Sequence, residues 1–221
     1  MKVVTLSNAT IGSKTAIAIQ KTTDYLRQKF PEAEVEMIDL REKDLVFSDG
    51  RNYLEYTGDT LEVTSKLMQA DAIIIGTPIF QASIPGSLKN IFDLLPEKAL
   101  HDKVVSIVVT AGSSKHYLVP EMQLKPILSY MKAQVLPEIV FIEGQDFNRQ
   151  EIENIDIHFR LEKLVEDTVL MTEVYQEFKR KQEALLCKRP ITRYIENLQS
   201  HHSGDSFLYL QSDCTVSDHG K

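Results

Sequence analysis

Residues 72–109 read AIIIGTPIFQASIPGSLKNIFDLLPEKALHDKVVSIVV, and this stretch decides the fold. Ala72 to Gly76 is a near-continuous apolar run rich in β-branched residues, and Val104 to Val109 is another. Strands apolar on both faces belong to a sheet covered on both sides. Between them, Gly86 to Leu95 carries Leu88, Phe92 and Leu95 at helical spacing. Strand, helix and strand in this order imply parallel pairing through a right-handed crossover.

The alternation continues outward in both directions. Val3 to Leu6 and Val135 to Ile142 are further apolar runs, and Glu34 to Leu40 alternates as a half-buried edge strand does. Helix-length segments occupy Ser13 to Phe30, Leu61 to Gln69, Ser114 to Lys132 and Ile155 to Gln182. Leu161, Leu164, Val165, Val169, Thr172, Tyr175 and Phe178 make one apolar stripe along the last, while Pro120 and Pro126 predict a late start or a kink in the one before. Five such strands predict an α/β, flavodoxin-like three-layer sandwich with a five-stranded parallel sheet in the order 2-1-3-4-5. The domain is expected to span 1–186. Residues 187–221 are expected to form a loosely attached tail, because Lys188-Arg189-Pro190 breaks the helix and 200–206 is a polar loop. Within that tail, Phe207 to Leu210 suits a short strand or a docking segment.

Composition narrows the function. The 221 residues are 43% hydrophobic and 26% charged, which is an ordinary globular mix and excludes low-complexity and collagen-like chains. A net charge of −7 repels phosphate backbones and anionic membranes, so no nucleic-acid or membrane partner is expected. The cysteines, Cys187 and Cys214, supply neither a disulfide framework nor metal-ligand spacing. With no signal peptide and no apolar run of membrane-spanning length, the expected location is the cytoplasm. His201, His202, His219 and Cys214 are not read as a metal site.

Ligands of such sheets bind beyond the carboxyl ends of the strands at the switch point, so the segments after strands one, three and four should converge. The first, Ser7 to Thr15, is crowded with hydroxyls and leads into a helix N-terminus: its amides, with Thr10, Ser13 and Thr15 and the charge of Lys14, suit one phosphate. It has neither G-x-x-x-x-G-K-S/T nor G-x-G-x-x-G spacing, and Ser13 is equally readable as an N-cap. The second segment is stiffened by Pro78 and Pro85 and carries Ile79, Phe80, Gln81 and Ser83, an apolar centre with exposed amides that suits a flat heteroaromatic ring. In the third, the Gly112-Ser113 peptide is placed to donate to a carbonyl edge of that ring. His116 reads as a solvated helix residue.

The run Pro78-Ile79-Phe80-Gln81-x-Ser83-x-Pro85-Gly86-x-Leu88-Lys89-Asn90-x-x-Asp93 resembles the P-x-Y-x-x-S-x-P-G-x-L-K-N-x-x-D signature of the NAD(P)H-dependent FMN reductases. Residues 93–100, 103–105 and 124–136 are similar to the branch that serves sulfonate monooxygenases. The resemblance covers about residues 1 to 180. It implies FMN and NADPH or NADH as cofactors, hydride transfer to flavin, delivery of reduced flavin to a flavin-dependent monooxygenase, and a homodimer or homotetramer. By position it implies Ser13 and Thr15 at the phosphate, Pro78 to Gln81 along the isoalloxazine, and Gly112 with Ser113 at its polar edge. Two departures stand out. Ser7-Asn8-Ala9-Thr10 lacks the Gly and Arg of the family's G-S-x-R loop, and Met122 stands where the sulfonate branch carries Tyr or His. No catalytic acid or base is nominated, since the flavin carries the reactivity. A reductase with bound FMN acting on quinones, azo compounds or metal oxyanions is the alternative; a flavodoxin-type carrier and a scaffold without flavin are the others. Gly86 to Leu95 is the candidate subunit interface.

Overall fold

The structure, a computed structural model, describes residues 1–9 and 11–187. It divides into two units, Met1–Glu173 and Val174–Lys221. The first is built on the parallel strands β1 (Lys2–Ser7), β2 (Glu34–Asp39), β3 (Ala72–Pro78), β4 (Val104–Ala111) and β5 (Gln134–Glu143), in the order β2-β1-β3-β4-β5. The helices are α1 (Lys14–Lys29), α2 (Gly58–Gln69), α3 (Gly86–Leu94), α4 (Lys125–Tyr130) and α5 (Ile155–Cys187).

Side-chain alternation along the strands makes two different faces. On one, Val4, Leu6, Ile73, Ile75, Val105, Ile107 and Val109 form an apolar core with Val63 and Leu67 of α2, Leu88 and Ile91 of α3, and Leu128 of α4. On the other face the strands place hydroxyls opposite helical threonines, and each pair is satisfied. Thr5 meets Thr23 of α1 at 2.7 Å, Thr110 meets Thr15 of α1 at 2.6 Å, and Ser106 meets Thr168 of α5 at 2.6 Å. The hydroxyls of these three pairs are tolerated in the interior because each has a partner.

Gly76 decides how closely α1 approaches. A Cβ there would lie 2.1 Å from Cγ1 of Ile19, so only glycine lets the helix lie this near β3. At the edge strand β5, Val105 pairs with Val135 and Ile107 with Ile139, which leaves Leu136-Pro137-Glu138 opposite Ser106. Pro137 has no N–H for the ladder, and an irregular edge accommodates it.

Three expectations are refined. The segment expected as one helix over Ser114 to Lys132 divides into a 3-10 turn at Ser114–His116, a π-helical turn at Pro120–Leu124, and α4. Pro126 has no N–H to give within the helix, and the chain opens into the wider turn just before it. The stripe of α3 is spent inside the chain, because Leu88, Ile91, Phe92 and Leu95 are all buried. Gly86 to Leu95 therefore offers no apolar face to a subunit: periodicity reports burial, not what does the burying. In α5 the stripe is buried from Leu161 to Thr172, while Phe178, in the second unit, is exposed. That helix continues to Cys187, and the tail expected from there on lies outside the described residues. Among the described residues, no helix is long and apolar enough to cross a membrane.

The long connection from β2 to α2 was not assigned by periodicity. Asn90 of α3 holds it, donating to Val46 O and accepting from Ser48 N, both at 3.0 Å. Glu62 of α2 secures its start by accepting from Lys43 at 2.7 Å and from Lys66 at 2.9 Å. Those hydrogen bonds, to Lys43 first and then Lys66, depress the Glu62 carboxyl to about 2. A depressed carboxyl contributes stability that is present above its unfolded value near 4.5 and lost as pH falls towards 2. Glu62→Gln should flatten the melting temperature across that window, by the about 0–1 kcal/mol of a solvent-screened pair, as thermal melts over an acid series would record.

Candidate functional site

Ser7, Pro78 and Ala111 end three neighbouring parallel strands, so the loops that follow them share one edge of the sheet. Three bonds tie these loops together. Asn8 N donates to Gly76 O at 2.8 Å, Ile79 N donates to Thr110 O at 3.1 Å, and Thr15 shares its hydroxyl bond with Thr110.

At the first loop, α1 begins with no side-chain cap and no acidic residue in its first turn. Ser13 occupies the N-cap position, but its hydroxyl makes no capping bond. The amides of Lys14, Thr15 and Ala16 precede the first possible intrahelical bond, which Ile17 N makes to Ser13 O at 2.9 Å. This is a helix end with positive partial charge and no internal acceptor. Immediately upstream, Ser7 and Asn8 are fully buried, and among the described residues Ser7 Oγ and both side-chain polar atoms of Asn8 lack a hydrogen-bond partner. Unpaired buried polar atoms are rare and costly, so their concentration beside an open helix N-terminus fits a polar group that arrives from outside, such as a flavin phosphate and its ribityl chain.

The other nominees at this loop are placed as follows. Thr15 is buried and bonded to Thr110. Lys14 donates to Gly144 O at 3.1 Å and lies 5.3 Å from the ring centroid of Phe147, in the segment after β5. Thr10 lies outside the described residues.

The second loop is a tight turn. Phe80 and Ser83 exchange backbone bonds of 3.0 and 2.9 Å, with Gln81 at φ 49° and Ala82 at φ 57°, both left-handed as in a type I′ turn. Neither central residue is glycine, at a cost of about 1–2 kcal/mol each. Gln123 offsets this by clamping the turn: its Oε1 accepts from Ser83 Oγ at 2.6 Å, and its Nε2 donates to Ala82 O at 3.2 Å. Phe80 is 39% exposed, so it is no core aromatic. Ile79 is half-buried against the apolar core. Ser87, in the first turn of α3, has a buried Oγ without a partner among the described residues.

In the third loop Gly112 is exposed, and Ser113 is extended at φ −161° with no capping bond from its side chain. Gly112 O lies 3.8 Å from where a Cβ of Gly144 would be, which brings the segment after β5 beside this loop.

Neither Asn8 nor Gln123 was nominated from sequence. Asn8 was legible in principle, as an amide that ends a buried strand. The partners of Gln123 are forty residues away, and no local pattern announces them. Among the described residues, no group of three His, Cys, Asp or Glu side chains could hold a metal.

Residues 1–148 match the family described as NADPH-dependent FMN reductase. A protein of Geobacillus thermodenitrificans named NAD(P)H-dependent FAD/FMN reductase is 38% identical over 77% of this chain and 93% of its own. An Escherichia coli protein named FMN reductase (NADPH) is 35% identical over 62% of this chain and 68% of its own. A solved NADH:FMN oxidoreductase in its apo form superposes with a TM-score of 0.66 at 23% identity, over 77% of this chain and 89% of that one, a likeness of fold.

Proposed function

The chain belongs to the NADPH-dependent FMN reductase family, and on that premise we propose that it oxidises NADPH or NADH at the switch point of its sheet and hands reduced flavin to a partner monooxygenase. It is an NAD(P)H-dependent FMN oxidoreductase with FMN and a reduced nicotinamide as its cofactors. When bound, FMN supplies the hydride acceptor in its ring system. The chain supplies binding, alignment and polarisation. The open N-terminus of α1, the hydroxyl of Ser13 and the charge of Lys14 take the phosphate, a role the sequence also assigns to Thr10. Thr15 positions that helix end through Thr110. Pro78, Ile79, Phe80, Gln81 and Ser83 lie along the ring, and the Gly112-Ser113 peptide polarises its carbonyl edge. The observation that carries this reading is the uncapped α1 terminus beside the unpartnered Ser7 and Asn8 side chains.

The monooxygenase partner is supported by the likeness of 93–100, 103–105 and 124–136 to the sulfonate branch. Oxidation of NADPH and NADH by flavin-stripped protein, followed by nicotinamide absorbance with FMN added in excess, tests the whole. Colourless protein whose turnover saturates with free FMN is the expected result. Yellow protein that turns over quinones without added FMN would move the assignment to the bound-flavin reductase, and no oxidation at all would leave only a carrier or scaffold.

Gln123→Ala tests the ring loop. Loss of the clamp should raise KM for FMN about three- to tenfold with kcat less affected, equivalent to about one hydrogen bond, as steady-state kinetics would record.

A further inference from the structure

A phosphate monoester at the α1 terminus brings about 1.5 to 2 negative charges at neutral pH, whereas the helix end offers about half a positive charge and Lys14 one. Lys14 also approaches from one side only. Its ammonium donates to Gly144 O at 3.1 Å and lies 5.3 Å from the ring centroid of Phe147, both beyond the β5 edge of the sheet. The opposite edge is β2, and Arg41 follows it. A cavity of about 860 Å³ on the β2 side of α1 is lined by both Ser13 and Arg41, so the N-cap and the guanidinium share one space.

That guanidinium is held in a fixed orientation. Asp39, the last residue of β2, has a side chain only 9% exposed, and its carboxylate accepts from Nε and Nη2 of Arg41 together. A fork on a nearly buried carboxylate fixes the guanidinium plane, which a solvated arginine does not have. Nη1 then reaches the phosphate loop, where it meets Gly12 O at 3.5 Å, the limit of a hydrogen bond. Counting donors leaves one further N–H on each of Nη1 and Nη2 without a partner among the described residues. Two adjacent N–H groups are what two oxygens of one phosphate accept.

The rest of the lining supports this position and no other. Asp24, Glu42 and Glu151 repel an anion from the cavity, and Lys21, its remaining cation, lies over the ring of Tyr25 at 4.9 Å. The charge balance therefore favours a phosphate only where the α1 terminus and Arg41 meet.

We propose that Arg41, oriented by Asp39, binds the flavin phosphate from the β2 edge and makes the chain select FMN against riboflavin, the same flavin without phosphate. This rests on the phosphate assignment made under Proposed function. A phosphate of the nicotinamide cofactor has the same chemistry, and the test separates the two sources.

Titration calorimetry of FMN and riboflavin into flavin-stripped protein, and into Arg41→Gln, is the experiment. The wild type should bind FMN at least about tenfold more tightly than riboflavin. Arg41→Gln should weaken FMN at least about fivefold and riboflavin less than about twofold, because riboflavin has no group for the guanidinium to lose. Asp39→Asn/Arg41→Gln leaves no unpaired buried carboxylate and should show the same selective loss, which keeps the test open should the single variant not fold. A smaller loss for FMN, or weakening of both flavins by the same factor, in a chain whose wild type still prefers FMN, would overturn the proposal and leave the phosphate on α1 alone. A rise in KM for NADPH but not for NADH, with FMN affinity unchanged, would assign Arg41 to the nicotinamide cofactor and overturn it too. A wild type without the preference for FMN would overturn this proposal together with the phosphate assignment it rests on.

Discussion

Asn8→Leu is expected to raise the melting temperature of the flavin-free protein and at the same time to weaken FMN binding. Asn8 is fully buried, and neither Oδ1 nor Nδ2 has a partner among the described residues. Its backbone is already used, with Asn8 N on Gly76 O at 2.8 Å, so the side chain carries the whole deficit. An unpaired buried amide costs about 1–3 kcal/mol, and leucine fills a similar volume without that penalty. At about 2–4 °C per kcal/mol for a domain of this size, the gain is about 2–12 °C. The flavin should lose what the apo protein gains: removing a polar partner from a desolvated phosphate or ribityl contact costs at least about tenfold in Kd. Differential scanning calorimetry and flavin titration on the same sample read both signs. A lower melting temperature would mean that an ordered water already satisfies the amide, and an unchanged Kd would remove Asn8 from the site.

The second large effect is at Gly76. An alanine Cβ would lie 2.1 Å from Cγ1 and 2.6 Å from Cδ1 of Ile19, and 3.3 Å from Cγ2 of Thr15. Ile19 is fully buried, so its side chain has nowhere to turn. Overpacking of this kind costs about 1–3 kcal/mol, and Gly76→Ala should lie at the upper end of that range, with a fall of about 5–10 °C in melting temperature. The displaced helix is the one that presents Ser13 and the open amides, and its Thr15–Thr110 bond sits beside the clash. Flavin affinity should therefore fall with stability. Gly76→Ala/Ile19→Ala restores room, and recovery of both quantities in the double variant, measured by melting and titration, separates a packing effect from loss of a ligand contact. Failure to recover either would place the cost in the strand backbone instead.

Both effects show where local pattern stops being informative. Gly76 reads as the last residue of an apolar run, and nothing in that run tells that Ile19, some sixty positions earlier, lies against it. Phe80 to Ser83 was legible as a stiff loop from its flanking prolines. That the turn is left-handed at Gln81 and Ala82, and is held by Gln123, was not. The signature residue Asn90 acquires a physical account as the clamp on Val46 and Ser48, a segment without periodicity of its own.

By itself the sequence determined the strands, their parallel order and which loops lie at the switch point. Hydrophobic periodicity and turn chemistry are local, and the handedness of crossovers leaves few ways to assemble them. Tertiary structure alone decided which polar groups are satisfied: Thr15 by Thr110, Lys14 by Gly144, and Asn8 by nothing among the described residues. A hydrogen bond depends on positions brought together by packing. Its partner can lie anywhere in the chain, so no window of sequence records whether a buried donor has found one.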